Sequence, residues 1–253
     1  MVRILFSALL VLCLPACASY DVVQFQATNP QQQAMMRDGR PAISSRQKNS
    51  LVLVSPAGRQ IKSGSRPVYV VAIYNLAKTP VDFRVSDVEV IQVVNGQSYQ
   101  IPVVPYEALV HEEKNRQVAA AILTGVAAAG NSISASQAGH GTFNATSYGP
   151  RGGTVTTSGS YYDPTANAIA QSNAAAQNEA MISTTLAQGQ ANLATLERSV
   201  IKDNTLMPGE WYGGQLHLTP PQNSSNDEAK TYTISLPVGS DKHVIDVTQV
   251  RSR

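Results

Sequence analysis

The alternation of apolar and polar residues predicts β-strands in two separate stretches of the chain, 49–104 and 203–251. The first contains the runs LVLV, PVYVVAIYN and VDFRVSDVEVIQV, and the second contains TYTISLPV and HVIDVTQV, all rich in β-branched residues. Asn95-Gly96 lies between two such runs and predicts a tight hairpin, because both residues tolerate positive φ. The pattern therefore predicts a mainly β fold with about seven strands in roughly 105 residues.

Residues 105–202, between these stretches, are dominated by helix formers and predict an α-helical hairpin. Asp163-Pro164 is a typical helix start, with Asp as the N-cap and Pro at the first helical position. The second helix carries an apolar stripe spaced alternately by four and three residues, at Ile182, Leu186, Gly189, Leu193, Leu196 and Val200. The first helix offers a stripe of small and medium residues, at Val118, Ile122, Gly125 and Ala129. We expect these two stripes to pack against each other in an antiparallel pair.

Two polar stretches show no apolar period. Residues 17–48, which follow a predicted signal peptide at 1–16, are rich in Gln, Ser and Pro and predict a flexible tether. Residues 137–162 form the Gly-, Ser- and Thr-rich tip of the helical hairpin, centred on Gly-Pro-Arg-Gly-Gly. This tip is compatible with a β-hairpin or a mobile loop, and we expect the loop.

The segments PVYVVAIYNLAKTPVDFRVSDVEV and MPGEWYGG resemble the immunoglobulin-like domains of bacterial envelope proteins. In those domains a strand ending near Asn precedes a strand with a buried aromatic residue, and a Pro-Gly-Glu turn opens a late strand. The resemblance covers 49–104 plus 203–251. It implies an immunoglobulin-like β-sandwich with 105–202 inserted in one loop, and it carries no active-site residues.

The leader MVRILFSALLVLCLPACASY has an apolar run too short to span a bilayer. It ends in Leu-Pro-Ala-Cys17, which resembles the lipobox of bacterial lipoproteins. In that family the signal is cleaved before the cysteine, which then carries acyl chains, so the resemblance implies lipidation of Cys17. Ala18 stands where an Asp commonly favours the inner membrane, and its presence implies the outer membrane. The alternative is an ordinary signal-peptidase site at Ala16-Cys17-Ala18, which would leave no lipid.

Composition and motifs argue against several classes of function. The chain has 19 Lys and Arg against 17 Asp and Glu, without the basic cluster that a nucleic-acid surface needs. We find no nucleophile elbow and no phosphate-binding loop. Trp211 is expected to pack in the core. The four histidines, His111, His140, His217 and His243, lack the spacing of a metal site. We therefore expect no metal, no cofactor and no catalysis.

The sequence therefore predicts an outer-membrane lipoprotein that is not an enzyme. It would bind or scaffold another envelope component, or a second copy of itself, through the helical insertion, with Leu186 and Leu193 as candidate partner-binding residues. One alternative is an oligomeric membrane-active or pore-associated protein that uses the Thr-, Ser- and Gly-rich tip. A minor alternative is a cryptic hydrolase, which would need a pocket joining a histidine to a nucleophile and an acid.

Overall fold

The computed structural model of the chain describes residues 19–150, 152–222 and 229–252. The chain divides into two compact units: residues 107–197, here called the insertion, and the residues on either side of it, here called the β unit. Cys17 and the predicted signal peptide lie outside the described residues. Each unit is described by itself.

The β unit contains two six-stranded antiparallel sheets, which confirms the prediction of a mainly β fold. One sheet contains, in order across it, β5 (Ile61–Lys62), β1 (Tyr20–Phe25), β16 (Asp241–Arg251), β15 (Lys230–Val238), β8 (Glu89–Val94) and β9 (Gln97–Gln100). The other sheet contains, in order across it, β10 (Val103–Val104), β14 (Trp211–Leu218), β6 (Val68–Asn75), β4 (Ser50–Pro56), β3 (Arg40–Arg46) and β2 (Gln32–Arg37). A short pair joins β7 (Val81–Phe83) to β13 (Asn204–Leu206).

Period-two burial places one face of each sheet in a shared hydrophobic core. In β6 and β15 alternate residues such as Val71, Ile73 and Ile234 are fully buried, and all belong to the same cluster. Each large apolar side chain contributes about 1.5–3 kcal/mol when it is fully buried. The predicted Asn95-Gly96 hairpin is confirmed, since both residues have positive φ and join β8 to β9.

The predicted tether is wrong for residues 19–48, which form β1, β2 and β3. β1 pairs along its length with β16, and the buried Asp21 carboxylate accepts a 2.8 Å ion-paired hydrogen bond from Lys230 of β15. Asp38 and Gly39, both at positive φ, close the β2–β3 hairpin. β1 is stabilised by a strand distant in sequence, whereas β2 and β3 pair with each other and with β4. Their Gln- and Ser-rich sequences lack an apolar alternation, so local composition did not reveal them.

A buried polar cluster joins the two sheets. The Ser50 hydroxyl donates to the Asp241 carboxylate at 2.7 Å, so it has no proton left for His243 and accepts from His243 Nε2 at 2.8 Å. Nδ1 of His243 is then the acceptor for the Ser45 hydroxyl at 2.9 Å. Ser45, Ser50 and His243 have no exposed surface. Burial lowers the pKa of His243 to about 4, and the nearby Asp241 carboxylate opposes that shift.

The insertion leaves and re-enters the β unit along one edge of β14. Val104, the last residue of β10, lies opposite His217, and the returning Val200 bridges to Gln215 two residues away. Gly214 permits this return, because a Cβ there would lie 2.7 Å from the backbone nitrogen of Ile201. An insertion that begins and ends at adjacent places can be added without disturbing the sheet.

Two long helices and a β-hairpin form the insertion and its boundaries. The helices are α1 (Tyr106–Gln137) and α2 (Pro164–Ser199), about 48 and 54 Å long at 1.5 Å per residue. Asp163 caps α2 as predicted, its carboxylate accepting from the backbone N–H groups of Thr165 and Ala166. The loop predicted for 137–162 is wrong, because β11 (His140–Tyr148) and β12 (Thr154–Tyr162) pair over nine residues each.

The His243 cluster predicts that the β unit loses stability in mild acid. A histidine whose folded pKa is lowered stabilises the fold fully above its unfolded pKa, near 6.5, and loses that contribution as the pH falls towards 4. The loss amounts to about 3 kcal/mol at the lower end. Denaturant unfolding at a series of pH values will measure it. The variant His243→Gln should show a flatter profile between pH 6.5 and 4, and an unchanged profile would contradict the assignment.

Candidate interaction surface of the insertion

Polar side chains fill the seam between α1 and α2. The Asn178 amide donates to the backbone carbonyl of Ala128 at 3.1 Å and accepts from Asn131 at 3.0 Å. Thr124 and Thr185 pair their hydroxyls at 3.1 Å, and Asn167 donates to the carbonyl of Ala135 at 3.1 Å. The helices are thus joined by hydrogen bonds spread over most of their length.

A buried carboxylate anchors the seam near the start of α1. Glu113 is 2% exposed, and its oxygens contact Arg116 at 2.6 Å and accept from Asn192 at 2.9 Å and from Gln117 at 3.3 Å. Gln117 also donates to the carbonyl of Gly189 at 3.0 Å. A Cβ at Gly189 would lie 2.7 Å from Cδ of Gln117, so a larger residue there would displace the Gln117 side chain. The inner surfaces of the helices are therefore mostly polar or small.

The large apolar side chains of α1 point away from this seam. Ile122 lies two residues before Thr124, so its side chain projects about 200° around the helix from that of Thr124. With spacings of four, four, three and four residues, one outer stripe runs along α1 at Val118, Ile122, Val126, Ala129 and Ile133. Its four large members are 60–66% exposed. We call this surface the α1 stripe.

The predicted apolar seam is wrong. Val118 and Ile122 lie on the outside, and of the α2 residues predicted to face them Gly189 lies in the seam and Leu196 is half-buried two turns further along the same face. Val200 is buried but belongs to the β unit. Ile182 and Leu186 are exposed, and Leu193 is half-buried on the same flank. We call Ile182, Leu186 and Leu193 the α2 stripe. The helical stripes read from the sequence exist, but polar groups occupy the interface that they were expected to fill.

Charge is almost absent from residues 117–196 of the insertion. Between Gln117 and Leu196 the sequence has formal charges only at Arg151, Asp163 and Glu179. Surfaces that remain in water usually carry charges on a quarter or more of their residues. By length and composition α1 is also apolar enough to cross a membrane, and little of its most apolar part is buried. The exposed surface of the insertion is thus unusual for one that stays in water.

The other candidate catalytic side chains among the described residues are buried or stand apart from one another. Ser45, His243 and Asp241 resemble a catalytic set by residue type, but Ser45 and His243 have no exposed surface for a substrate to reach. His111 contacts Asn115 on its own helix, and the His140 ring lies 4.9 Å from that of Tyr162. Within the described part of the chain, no three His, Cys, Asp or Glu side chains are grouped so that they could hold a metal.

Trp211 is not in the core, contrary to expectation. It is 55% exposed, and its ring lies 4.8 Å from that of Tyr74. A cavity of about 530 Å³ on this face is also lined by Arg37, Asp38 and Arg40. Tyr212, the next residue, is half-buried, and its hydroxyl bonds to the backbone of Lys202 where the chain returns from α2. Trp211 is therefore a second exposed apolar site, with fewer exposed apolar residues than the α1 and α2 stripes.

Comparisons of this chain with protein-family models, with curated proteins and with solved structures find no match.

Proposed function

We propose that the protein is a non-catalytic, lipid-anchored envelope protein that assembles with copies of itself through the insertion. The observation that carries this proposal is the reversed polarity of the helix pair: hydrogen-bonding groups lie inside, and the α1 and α2 stripes lie outside. A helix pair in water normally buries its apolar stripe and exposes its charges. This pair exposes its apolar stripes instead, so a further surface is needed to cover them.

A second copy is the occupant that fits best. The two stripes are both apolar and uncharged, so neither offers a charged partner anything to pair with. They lie on different helices, the α1 stripe facing away from the seam and the α2 stripe lying on its flank. Contact of the α1 stripe of one copy with the α2 stripe of the next is heterologous, and repetition of such a contact produces a ring or a filament.

The energetics favour a closed assembly over a dimer. Six exposed side chains, Val118, Ile122, Val126, Ile133, Ile182 and Leu186, together return roughly 5–12 kcal/mol when neighbours cover them. Association costs about 4–15 kcal/mol in lost translational, rotational and side-chain freedom. One interface is therefore marginal. A ring has one interface more than an open chain of the same number of copies, which favours closure.

Lipid is a poorer cover for the helix pair, although α1 alone is apolar enough to cross a bilayer. α2 accompanies α1 along its length and exposes polar side chains such as Gln177, Gln190 and Glu179. Unpaired polar and charged groups are costly in hydrocarbon. Packing against another copy leaves these groups in water while it covers the apolar stripes.

We further propose that the β unit is an immunoglobulin-like sandwich, supported by its strand order. In an immunoglobulin-like sandwich, strands A, B, E and D form one sheet, and strands C, F and G form the other, with C′ added beside C in some members. Here β4, β6, β14 and β10 stand in the order A-B-E-D, and β16, β15, β8 and β9 in the order G-F-C-C′. On this assignment the insertion lies between strands D and E. β1 adds to strand G, and β3 adds to strand A.

The membrane anchor rests on the lipobox resemblance at Cys17. Two residues, Ala18 and Ser19, separate Cys17 from β1, which begins at Tyr20. Acyl chains on Cys17 would therefore hold the β unit directly at the membrane surface, without the long tether that composition suggested. The alanine after the cysteine favours the outer membrane.

The association proposal predicts that charge in the α2 stripe releases monomers. Leu186→Asp with Leu193→Asp should reduce the oligomer to a monomer in light scattering, because each new carboxylate must lose its water to stay in the interface. Gln177→Asp with Thr184→Asp is the matched control: it has the same charge and spacing, at exposed polar positions of the same helix. The control should keep the parent mass. Equal masses for the parent and the Leu186/Leu193 variant would contradict the proposal.

Anchoring is predicted to depend on Cys17. Cys17→Ser should accumulate as unprocessed precursor or appear in the soluble fraction, because stable attachment needs more than one acyl chain. Cell fractionation with detection of the acylated form will check this, and Cys13→Ser provides the control that leaves anchoring unchanged. A correctly cleaved Cys17→Ser protein that remains with the membranes would show that something other than lipid holds it.

A further inference from the structure

The β-hairpin that joins the two helices has one polar and one apolar face. Side chains alternate between the faces of a strand, and the register fixes which residues share one. One face carries hydroxyl and amide groups along its middle, from Thr142, Asn144, Thr146, Thr156, Ser158 and Ser160, and has His140, Tyr148, Thr154 and Tyr162 at its ends. The other carries Phe143, Ala145, Val155 and Tyr161, with Thr157, Ser147 and two glycines.

Aromatic rings cover the glycines on the apolar face. The Phe143 ring lies across the strands from Gly159, where a Cβ would approach its Cε1 to 2.7 Å, and the Tyr161 ring covers Gly141 in the same way. Phe143, Val155 and Tyr161 nevertheless remain 46–64% exposed. Neither strand contains a Lys, Arg, Asp or Glu. The apolar face therefore has no charge to desolvate when something apolar covers it.

The hairpin has the dimensions of a membrane-spanning pair of strands. Nine residues at about 3.3 Å each extend roughly 30 Å, and strands of 9–11 residues cross a bilayer at a tilt near 45°. Alternation of polar and apolar residues is the pattern of outer-membrane barrels, in which the polar side faces the lumen. The hairpin forms a sheet of two strands only, so its outer edges carry unpaired backbone groups. Such edges are excluded from hydrocarbon unless other strands close them.

We propose that the hairpins of several copies join edge to edge into a transmembrane β-barrel, with Phe143, Ala145 and Val155 towards lipid and Thr142, Asn144 and Thr156 towards an aqueous lumen. This inference rests on the self-association proposed above, which supplies the neighbouring hairpins. Four copies would supply eight strands, the number in the smallest bacterial barrels, whose interior is filled by side chains. A water-filled lumen therefore requires more than four copies, and its mostly hydroxyl lining would admit small polar solutes with little selection by charge.

The test places single cysteines along the hairpin of the membrane-purified protein, in vesicles of phosphatidylethanolamine and phosphatidylglycerol. Each cysteine carries a dye whose emission shifts to the blue in lipid, and the parent protein without an added cysteine gives the background. Positions 143, 145 and 155 should shift and be quenched from the lipid phase. Positions 142, 144 and 156 should remain unshifted and be quenched by aqueous iodide. The same emission on both faces would overturn the proposal.

Release of a small dye from the same vesicles gives an independent reading. Phe143→Asp with Val155→Asp should reduce release at least about tenfold, because charge on the lipid face opposes insertion. Thr142→Asp with Thr156→Asp, on the polar face, should retain release. Light scattering should give both variants the parent mass.

The outcomes separate the two proposals. Oligomers of the parent protein that release no dye would overturn the barrel and leave the self-association standing, since the hairpin would then serve a protein partner. A monomeric parent that releases no dye would overturn both. Equal loss of release in the two hairpin variants would also contradict the barrel, because it would show no difference between the faces.

Discussion

The hydrogen-bonded seam between α1 and α2 decides what the insertion can do. Asn131, Asn178, Thr124 and Thr185 satisfy one another between the helices, and Glu113 is held by Gln117, Asn192 and Arg116. Buried polar groups without partners are costly, so this arrangement resists any rotation that would turn the apolar stripes inward. The stripes must therefore face outward. The self-association proposal follows from this constraint rather than from helix propensity.

The same constraint explains how the parts of the insertion fit together. Glu113 and Gly189 fix the helices where the insertion leaves the β unit, and Asn167 fixes them where the hairpin begins, through its bonds to the carbonyls of Ala135 and Ser136. Two helices held in register carry the nine-residue strands as one continuous antiparallel arm. In the proposed assembly the helices supply contacts between copies, and the hairpins supply the strands of a barrel.

Much of the fold is readable from local sequence pattern. The strands after residue 49, the Asn95-Gly96 turn, the Asp163 cap and both helices follow from period and turn chemistry. β1 was missed because its partners are distant in sequence, as in the bond between Asp21 and Lys230. β2 and β3 were missed because their Gln- and Ser-rich sequences show no apolar alternation, although they pair with neighbouring strands. The Asp38-Gly39 turn was the available signal of the β2–β3 hairpin.

At the candidate site the apolar stripes follow from the sequence, but they do not pack against each other as the sequence predicts. Hydrophobic spacing identifies the apolar face of a helix and cannot tell what covers that face. The alternation in TFNATSY was the overlooked signal of the hairpin.

Mixing two variants tests whether the α1 stripe of one copy contacts the α2 stripe of the next, head to tail. Ile122→Asp with Val126→Asp disables the α1 stripe, and Leu186→Asp with Leu193→Asp disables the α2 stripe. Each variant retains the stripe that the other lacks, so each should be a monomer alone. Their equimolar mixture can form one interface only, which is marginal, so light scattering should show a one-to-one dimer at high protein concentration and no larger species at any concentration. Species larger than a dimer in the mixture, or oligomers of either variant alone, would contradict the head-to-tail contact.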